Sequence, residues 1–592
     1  MIDVAALVNS RLVMKGWKKK YLTKPLIWFL RNLFHEREFI EFGKKYSHLE
    51  GFDFIDQALG HLNFTYSLRE DERERIPSSG RVVIVSNHPI GSLDGLALLQ
   101  LVRSVRADVK IVANEVLMKL EPLQSLLLPV DNMGGNTARD NVQAIRDYLN
   151  KDGAIIIFPS GVVSRFGLKG VRDNRWRPGF LNFAKITRTP VLPVFVKARN
   201  SSLFYFISLI AMKISTLWLV SEMFKHRNAC VSIRVGNIIP HTAYDNMKLP
   251  RDGLVELFQR HQIMVSKGMP GLFPTQSSIA PPENRQTLRD WVKQTELLGE
   301  TSDGKEIYLC RYEANSPIMR ELGRVRELSF RIVDEGSGMR RDVDQYDPHY
   351  MHLVLWDDDD LEIAGAYRLC DTNVIIPKKG QAGLYSSQIF DYQDAMKPYF
   401  ANGLELGRSF VQPRYWGKRS LDYLWYGIGA LCRANPNYRY LFGAVSISDS
   451  YPELAKLMIV YFYTIHFSVE DKLVSAIEPF IIGPDNLDML ASLFPGEDYK
   501  TDFAELKSRL KHMNVSVPTL FKQYGELCDP GGVVLTEFGL DLNFSNALDG
   551  FVMVDTWKLK KNKRARYIQT PSPLTVESTA AESAAAESVT AR

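Results

Sequence analysis

The sequence predicts a protein of two α/β domains. Strand-like apolar runs alternate with amphipathic stretches in each half of the chain, a pattern that is typical of sheets covered by helices. The segment Gly268–Arg285 between these halves is rich in Pro, Gly and Ser, as linkers commonly are. A length of 592 residues is also too great for a single hydrophobic core.

Changes in composition along the chain predict five segments. They are a helical, membrane-associating segment over residues 1–75, an α/β domain over 76–265, a linker over 266–292, a second α/β domain with a helical extension over 293–556, and a basic, low-complexity tail over 557–592. The tail begins with KLKKNKRAR. This basic run either contacts anionic lipid or an acidic carrier protein, or only keeps the tail solvated.

Short apolar runs define the predicted strands of each domain. In the first domain they are Val82–Ser86, Lys110–Ala113, Ala154–Phe158, Val191–Lys197 and Val231–Val235, which predict a substantially parallel core sheet. In the second domain the strands are Glu306–Tyr312, His352–Trp356, Ile363–Leu369 and Tyr440–Val445, with helices at Ile318–Asp334 and Ser420–Ala434. The stretch Asp485–Tyr524 is predicted to be helical.

The composition is that of a globular protein whose charges nearly balance. Hydrophobic residues make up 45% and charged residues 24%, and the formal net charge is +5. This balance disfavours nucleic-acid binding by the whole chain. The five cysteines are few and widely spaced, which predicts reduced thiols without a disulfide framework or a CxxC metal pair. No metal site is expected.

Two segments are candidates for contact with a membrane. The N-terminus lacks the pattern of a secretory signal, and no window offers the roughly 20 uncharged apolar residues of a confident spanning helix. The nearest is Ser201–Val220, interpreted as a helix that is buried or lies on the membrane rather than one that spans it. The run Lys15–Phe34 mixes lysines with aromatic residues, which suits a lipid interface or a solvated basic helix. We expect a peripheral protein at the cytoplasmic face of the inner membrane.

The sharpest chemical signal is the stretch SNHPIGSLDG at Ser86–Gly95. It follows a strand, so His88 and Asp94 are expected at the carboxyl end of that strand, where α/β sheets generally build their sites. A neutral histidine held by a carboxylate can take a proton from an alcohol that attacks an acyl thioester. A lone His–Asp pair is usually structural, but FPSG at Phe158–Gly161, Arg165 and Leu192–Val194 also lie at the ends of predicted strands.

Together these motifs resemble the glycerolipid O-acyltransferase superfamily over roughly Pro77–Pro240. The resemblance implies a glycerolipid-acyltransferase-like α/β domain with His88 as general base and Asp94 as its orienter. The acceptor pocket would be lined by Phe158, Pro159, Ser160, Gly161 and Arg165, and Pro193 would border the acyl donor.

The motifs depart from that family at two points. Five residues separate the histidine and the aspartate where the family has four, and Gly91 is expected to let the extra residue bulge. Ser160 stands where the family has glutamate, which fits an alcohol other than glycerol phosphate better. In the segment Leu126–Asn141, Arg139 is either an anion ligand or a solvated helix residue.

Charged residues of the second domain resemble those of GNAT-fold N-acyltransferases over roughly Ile307–Phe467. The resemblance is nearest to ornithine-lipid N-acyltransferases and more distant to acyl-homoserine-lactone synthases, and it implies a GNAT-like mixed α/β domain. The residues that would bind the amino acid are Arg326, Phe330, Asp344, Asp347, Arg368 and Arg408. Glu405, held by Arg408, is the candidate for binding or deprotonating the amine; the alternative for all of these is ordinary ion pairing.

The loop Arg414–Arg419 indicates the acyl donor. In GNAT enzymes consecutive backbone N–H groups between a strand and a helix cradle a pyrophosphate. Here Arg414 and Gly417 match the usual loop, whereas Arg419 replaces its last small residue and would crowd a coenzyme A pyrophosphate. With Lys418, these arginines suit the phosphopantetheine of acyl carrier protein or its acidic helix. We expect acyl carrier protein as partner, acyl-CoA as the alternative donor, and no bound cofactor.

The leading hypothesis is a bifunctional bacterial acyltransferase that makes an aminolipid. The second domain would attach a 3-hydroxyacyl chain to an amino acid, with ornithine as the leading candidate, and the first would esterify the 3-hydroxyl of that lyso-lipid. One alternative is a lysophospholipid acyltransferase fused to an unrelated GNAT module. Another is an N-acyltransferase that a degenerate first domain only anchors to membranes.

Overall fold

The computed structural model describes residues 27–28, 31–33, 35–113, 117–130, 139–167, 170–210, 212–245, 247–542 and 544–569. The chain forms two compact units that divide between Ala280 and Pro281. Both are α/β, as predicted. Most of the membrane candidate Lys15–Phe34 and most of the low-complexity tail lie outside the described residues.

The described helices of the first unit are α1 (Glu36–Lys45), α2 (Gly51–His61), α3 (Glu70–Arg73), α4 (Ser92–Arg103), α5 (Arg139–Asn150), α6 (Gly179–Ile186), α7 (Ser202–Ile210), α8 (Met212–Lys225), α9 (Thr242–Asp245) and α10 (Arg251–Ser266). Its strands are β1 (Thr65–Ser67), β2 (Val82–Ser86), β3 (Val109–Ala113), β4 (Leu127–Pro129), β5 (Ala154–Ile157), β6 (Arg165–Gly167), β7 (Gly170–Arg172), β8 (Val191–Lys197) and β9 (Cys230–Val235).

The main sheet of the first unit is predominantly parallel. Its strand order is β1-β9-β8-β2-β5-β3-β4, and only the pair β8–β9 is antiparallel. Every residue of β2 is buried, which explains its continuous apolar sequence. Because β2 lies between β5 and β8, the segments that follow these strands meet at one edge of the sheet.

The segment Ser201–Val220 forms parts of two consecutive helices, α7 and α8. Among the described residues, no helix combines the length and the apolar character needed to cross a membrane. Four apolar side chains of α7 are exposed: Leu203, Phe206, Leu209 and Ile210.

The described helices of the second unit are α11 (Arg285–Val292), α12 (Pro317–Ile332), α13 (Thr372–Lys379), α14 (Ser420–Ala434), α15 (Glu453–Phe467), α16 (Pro484–Leu493), α17 (Tyr499–His512), α18 (Thr519–Gly525) and α19 (Lys561–Arg564). Its strands are β10 (Glu296–Glu300), β11 (Glu306–Arg311), β12 (Met351–Asp357), β13 (Glu362–Asp371), β14 (Phe390–Tyr392), β15 (Gly403–Val411), β16 (Tyr440–Ile447), β17 (Val474–Ala476), β18 (Val533–Asp541) and β19 (Ala547–Asp555).

Helix α11 corrects the predicted linker 266–292. Its first turn is capped by Asn284, whose side chain accepts a hydrogen bond from the backbone N–H of Thr287. Leu288 and Val292 are buried on its inner face. The last residues of the predicted linker are therefore part of the second unit's core.

The large sheet of the second unit opens between two neighbouring strands. Its order is β10-β11-β12-β13-β15-β16-β19-β18, and only β15 and β16 pair in parallel. That pairing covers Gly403–Glu405 and Tyr440–Phe442 and then ends. The two strands still approach closely at Gly443, directly after the last pair. A Cβ on Gly443 would lie 2.1 Å from the carbonyl oxygen of Leu406, so this position requires glycine.

Candidate functional site

The first candidate site is built on the turn between β2 and α4. Nδ1 of His88 lies 3.1 Å from Oδ2 of Asp94, and the Asp94 side chain is fully buried. The same Oδ2 accepts hydrogen bonds from the backbone N–H groups of Ile90 (2.9 Å) and Gly91 (3.1 Å). This position suits Asp94 to orient the imidazole, and Nδ1 of His88 has no hydrogen-bond partner of its own among the described residues. The His88 side chain keeps 19% of its surface exposed, so an acceptor can reach it.

The extra residue between His88 and Asp94 is accommodated at Gly91. Gly91 precedes α4 with φ 91° and ψ −133°, a conformation that is open mainly to glycine. Because the chain folds back at this point, Asp94 reaches the N–H groups at the start of its own helix and also contacts the His88 ring. The pair meets although its spacing differs from that of the family.

We expect Gly91→Ala to destabilise the first unit and to slow its reaction. A Cβ would meet Leu219 at an ordinary 3.6 Å, so the cost comes from the backbone, at about 1–3 kcal/mol. Thermal unfolding measures the first effect, and the rate of the ester formation expected from the sequence measures the second. Gly60→Ala is the matched control, because Gly60 lies in α2 with open space around it and should gain stability. Equal behaviour of the two variants would contradict the role assigned to Gly91.

Residues from neighbouring loops hold His88 in place. Phe158, just after β5, stacks on the His88 ring with centroids 4.1 Å apart. The carboxylate of Asp173 accepts hydrogen bonds from the His88 backbone N–H (3.2 Å) and the Ser164 hydroxyl (2.5 Å). Burial raises the pKa of Asp173, and these bonds oppose the rise. The sequence did not single out Asp173, which reaches the motif from 85 residues away.

The remaining residues of the FPSG motif form a tight turn. Ser160 is buried and donates from its hydroxyl to the carbonyl of Val162 at 2.7 Å. Gly161 has φ 65°, and Pro159 accepts a hydrogen bond from the backbone N–H of Arg177. Ser160 thus shapes the turn that carries Phe158.

Arg165 is a part-buried cation in the loop beside His88. It follows Ser164, whose backbone N–H donates to the His88 carbonyl. Its guanidinium lies 4.9 Å from the centre of the Phe204 ring, and its Nη1 has no hydrogen-bond partner among the described residues. Burial lowers the pKa of Arg165. A buried donor of this kind can bind an anionic group of an acceptor.

The two other predicted positions of the first unit lie on β8 and α5. Pro193 is in β8, in register with Val85 of β2, and its carbonyl accepts from the backbone N–H of Gly236. Arg139 begins α5 and is exposed, and residues 131–138 before it lie outside the described part of the chain.

The second candidate site is a cavity of about 110 Å³ in the second unit. It lies where β15 and β16 separate, and charged groups of both signs line it. The polar and charged lining residues are Glu335, Tyr350, Tyr367, Arg368, Tyr385, Glu405, Arg408, Ser409, Ser446, Tyr524, Asp541 and Asp549. Phe330, Arg368, Glu405 and Arg408 of this lining were predicted from the sequence.

A buried ion-pair network fixes Arg368 at the cavity. Arg326 donates to Asp347 at 2.8 Å, and Arg368 donates to Asp344 at 2.7 Å and lies 3.4 Å from Asp347. Arg326 also contacts Nδ1 of the buried His352 at 3.0 Å. Nε and Nη2 of Arg368 are buried and have no hydrogen-bond partner among the described residues. That edge of the guanidinium can therefore take a carboxylate through paired hydrogen bonds.

The predicted pairing of Glu405 with Arg408 is wrong. Arg408 lies 3.0 Å from Asp342 and donates to Asp344 at 3.4 Å, and it stacks over Tyr385. Its φ of 48° marks a bulge in β15, where the register with β13 shifts. The bulge changes the face of the sheet to which successive side chains point. The spacing between Glu405 and Arg408 in the sequence therefore does not predict a contact between them.

Glu405 instead accepts hydrogen bonds at both of its carboxylate oxygens from other residues. One oxygen accepts from the Ser386 backbone N–H at 2.8 Å and from the Ser386 hydroxyl. The other accepts from the Tyr350 hydroxyl and from the Tyr385 backbone N–H at 3.3 Å. Burial raises the pKa of Glu405, and the bonds from Ser386 and Tyr350 oppose the rise.

Three carboxyl groups of the lining were missed by the sequence analysis: Glu335, Asp541 and Asp549. Burial and the nearby Asp541 raise the pKa of Asp549 to about 7. Burial, Asp549 and Asp334 raise the pKa of Glu335 to about 8. The available signal was the single Asp inside the apolar run ALDGFVMV, since an isolated charge in such a strand must be buried or functional.

The basic loop after β15 is only partly available to a donor. Arg414 pairs with Asp360 at 2.5 Å and with Glu362, so its charge is compensated. This corrects the prediction that it belongs to a free basic cluster. Gly417 has φ 75°, whereas Lys418 and Arg419 are exposed and stack over tyrosine rings of the same segment. Arg419 lies 3.5 Å from Asp422.

Comparison with known proteins matches each unit separately. The family described as Acyltransferase matches residues 18–266, and the Acetyltransferase (GNAT) domain matches residues 325–426. A glycine N(alpha)-acyltransferase of Bacteroides thetaiotaomicron is 32% identical over 49% of this chain and 90% of its own length. A lyso-glycine lipid O-acyltransferase of the same species is 30% identical over 42% of this chain and 92% of its own length.

A third relative is an L-ornithine N(alpha)-acyltransferase of Brucella abortus, 32% identical over 22% of this chain and 49% of its own length. These matches confirm the predicted fold class, an acyltransferase domain followed by a GNAT-like domain. With its two units each matching nearly the full length of a separate acyltransferase, the chain belongs to the aminolipid acyltransferases.

Proposed function

We propose that this chain makes a diacylated aminolipid in two successive steps. The second unit joins a 3-hydroxyacyl chain to the α-amino group of an amino acid, and the first unit then esterifies the 3-hydroxyl. The observation that carries this proposal is the fusion itself. The N-acyltransferase and the O-acyltransferase that are separate proteins in Bacteroides thetaiotaomicron correspond to the two units of this chain. Joining them raises the effective concentration of a poorly soluble intermediate at the second site.

The charges of the second cavity support an amino acid as the first substrate. The unpartnered edge of Arg368 suits the α-carboxylate. Glu335, Asp541 and Asp549 suit ammonium groups. Because the lining offers more carboxyl groups than one α-ammonium needs, we propose a dibasic amino acid, ornithine, in preference to glycine.

The acyl groups are proposed to arrive as thioesters of acyl carrier protein. The exposed Lys418 and Arg419 lie in the loop between β15 and α14, beside the gap through which a phosphopantetheine arm would enter. These cations suit an acidic carrier helix. Acyl-CoA is the alternative donor.

A peripheral position on the cytoplasmic face of the inner membrane is also proposed. The exposed apolar side chains of α7 support it, with the exposed Phe166 in the β6–β7 hairpin next to Arg165. Exposed apolar side chains beside an arginine suit the interface of an anionic bilayer.

A phospholipid acceptor is the second candidate for the first unit, and Arg165 favours it. Its unpartnered Nη1 would bind a phosphate as well as the carboxylate of a lyso-aminolipid. Ser160 replaces the glutamate that the glycerolipid family carries in this motif, which supports the aminolipid acceptor.

In the experiment, the purified full chain receives two acyl donors and one amino acid at a time. The donors are carrier protein loaded with a 3-hydroxyacyl chain and carrier protein loaded with a second acyl chain. Mass spectrometry of the extracted lipids should show an N-acylated amino acid and then its O-acylated product, with ornithine preferred. Lysophosphatidic acid offered as acceptor tests the second candidate. Acylation of lysophosphatidic acid without any N-acylated amino acid would contradict the proposed function.

A further inference from the structure

One carboxyl group in the cavity of the second unit, that of Asp549, has an oxygen without a hydrogen-bond partner among the described residues. Asp549 lines the cavity from β19 and is only 2% exposed. Its Oδ1 is buried and has no hydrogen-bond partner among the described residues. An unpartnered buried carboxylate oxygen is costly unless a ligand completes it. The ligand must donate a hydrogen bond to this oxygen, and a cationic group is favoured because the carboxylate is negatively charged.

The position of Asp549 in the sheet places it at the opening between strands. It lies in register with Ser446 of β16, and Ser446 lines the same cavity. Beyond Phe442, β16 no longer pairs with β15, so this stretch faces the gap in which a thioester can lie. A group bound by Asp549 is therefore next to the place where an acyl donor would enter.

We infer that Asp549 is the catalytic residue that binds the α-ammonium group of the amino acid and takes its proton. This inference rests on the proposed N-acylation and deepens it. The Asp549 carboxylate removes one proton from the ammonium group. The neutral nitrogen then attacks the thioester carbonyl carbon, a C–N bond forms, and the C–S bond breaks. The second proton lost by nitrogen goes to the departing thiolate.

Asp549 is better suited to this step than the other carboxyl groups of the cavity. Both oxygens of Glu405 are already occupied by Tyr350, Tyr385 and Ser386, so Glu405 is a positioning residue. Asp541 accepts a hydrogen bond from the Tyr385 hydroxyl at 2.5 Å.

Glu335 shares the cavity with Asp549, but it is partly exposed and has no buried oxygen without a partner, whereas Oδ1 of Asp549 is both buried and unpartnered among the described residues. The pKa of Glu335 is about 8 and that of Asp549 is about 7. A base with a pKa near the working pH transfers protons most effectively.

The charged groups around Asp549 determine the expected pH dependence. Asp541 opposes its ionisation, and Arg408 and the Ser446 hydroxyl favour it. Glu335 faces the same cavity, and the charge of Asp549 raises the pKa of Glu335. Because burial and Asp541 raise its pKa, Asp549 is protonated and inactive below about pH 7. The N-acylation rate should therefore rise with pH through this range.

The test uses Asp549→Asn in the full chain, with N-acylation followed against pH. We expect kcat with the amino acid to fall by about 10²–10⁴-fold. The increase of the N-acylation rate with pH near pH 7 should also disappear. Hydroxylamine is already neutral at this pH and needs no base, so its acylation should fall far less. Asp502→Asn is the matched control, since Asp502 is equally buried but pairs with His466 away from the cavity lining.

A second variant, Asp541→Asn, tests the inference independently, in case Asp549→Asn fails to fold. Removing this neighbouring charge should move the rising limb to lower pH, an effect that a merely structural role would not produce. An unmoved limb overturns the inference. The inference is also overturned if Asp549→Asn keeps its N-acylation rate with the amino acid. The same holds if Asp549→Asn loses hydroxylamine acylation to the same extent as amino-acid acylation. If the wild-type chain acylates no amino acid, the proposed function fails instead, and this inference with it.

Discussion

We expect His88→Ala to lower ester formation by about 10²–10⁴-fold while amide formation continues. The variant removes the proposed base, whose Nδ1 lies 3.1 Å from Asp94 and whose Nε2 would take the proton of the acceptor hydroxyl. The second unit contains its own cavity and its own charged groups, so its reaction does not depend on His88. Lipid extracts should therefore accumulate the mono-acylated amide, which chromatography and mass spectrometry resolve from the diacylated product.

Two further variants separate catalysis from folding in this experiment. Asp94→Asn should also slow ester formation, because an amide holds the imidazolium less well than the carboxylate does. His61→Ala is the matched control, since His61 is a surface histidine of the same unit that pairs with Glu38. Continued ester formation in His88→Ala would support the alternative in which the first unit only anchors the chain. Loss of both products would show that the units are not independent.

The first site could largely be predicted from the sequence because its parts are local. His88 and Asp94 lie on one turn, and the strand before them is buried throughout and therefore apolar throughout. Phe158 also follows a strand directly, whereas Arg165 begins the short strand β6. The sequence could not predict the hydrogen bond from the His88 backbone N–H to Asp173, because local spacing does not indicate a contact between residues 85 positions apart.

The second site was predicted only in part because it is assembled from distant strands. The sequence indicated the strand β16 and the site residues of β15. It did not indicate β18 and β19, which lie beyond a helical stretch and complete the sheet on the far side of β16. Asp541 and Asp549 therefore went unnoticed. The predicted pairing of Glu405 with Arg408 failed for a related reason, since a bulge in β15 cannot be inferred from an apolar pattern.

We expect Asp347→Ala to destabilise the second unit by about 3–5 kcal/mol. The Asp347 side chain is fully buried, and it accepts from Arg326 at 2.8 Å and from the backbone N–H of Asp344 at 2.8 Å. Burial opposes its ionisation, but Arg326 and Arg368 outweigh burial and hold the pKa of Asp347 well below its usual range. Removing this carboxylate leaves two buried guanidinium groups without full compensation, which costs more than the lost pair itself contributed.

Urea unfolding of Asp347→Ala beside Asp394→Ala measures this cost. Asp394 is an exposed partner of Lys397, and its loss should change the unfolding free energy by no more than about 0.5 kcal/mol. The sign of the pH dependence gives an independent check. Because the folded pKa of Asp347 is depressed, its contribution is present above the unfolded pKa and declines as pH falls towards the folded value. The gap between wild type and Asp347→Ala should therefore narrow in acid, and a constant gap would mean that Asp347 acts by packing rather than by charge.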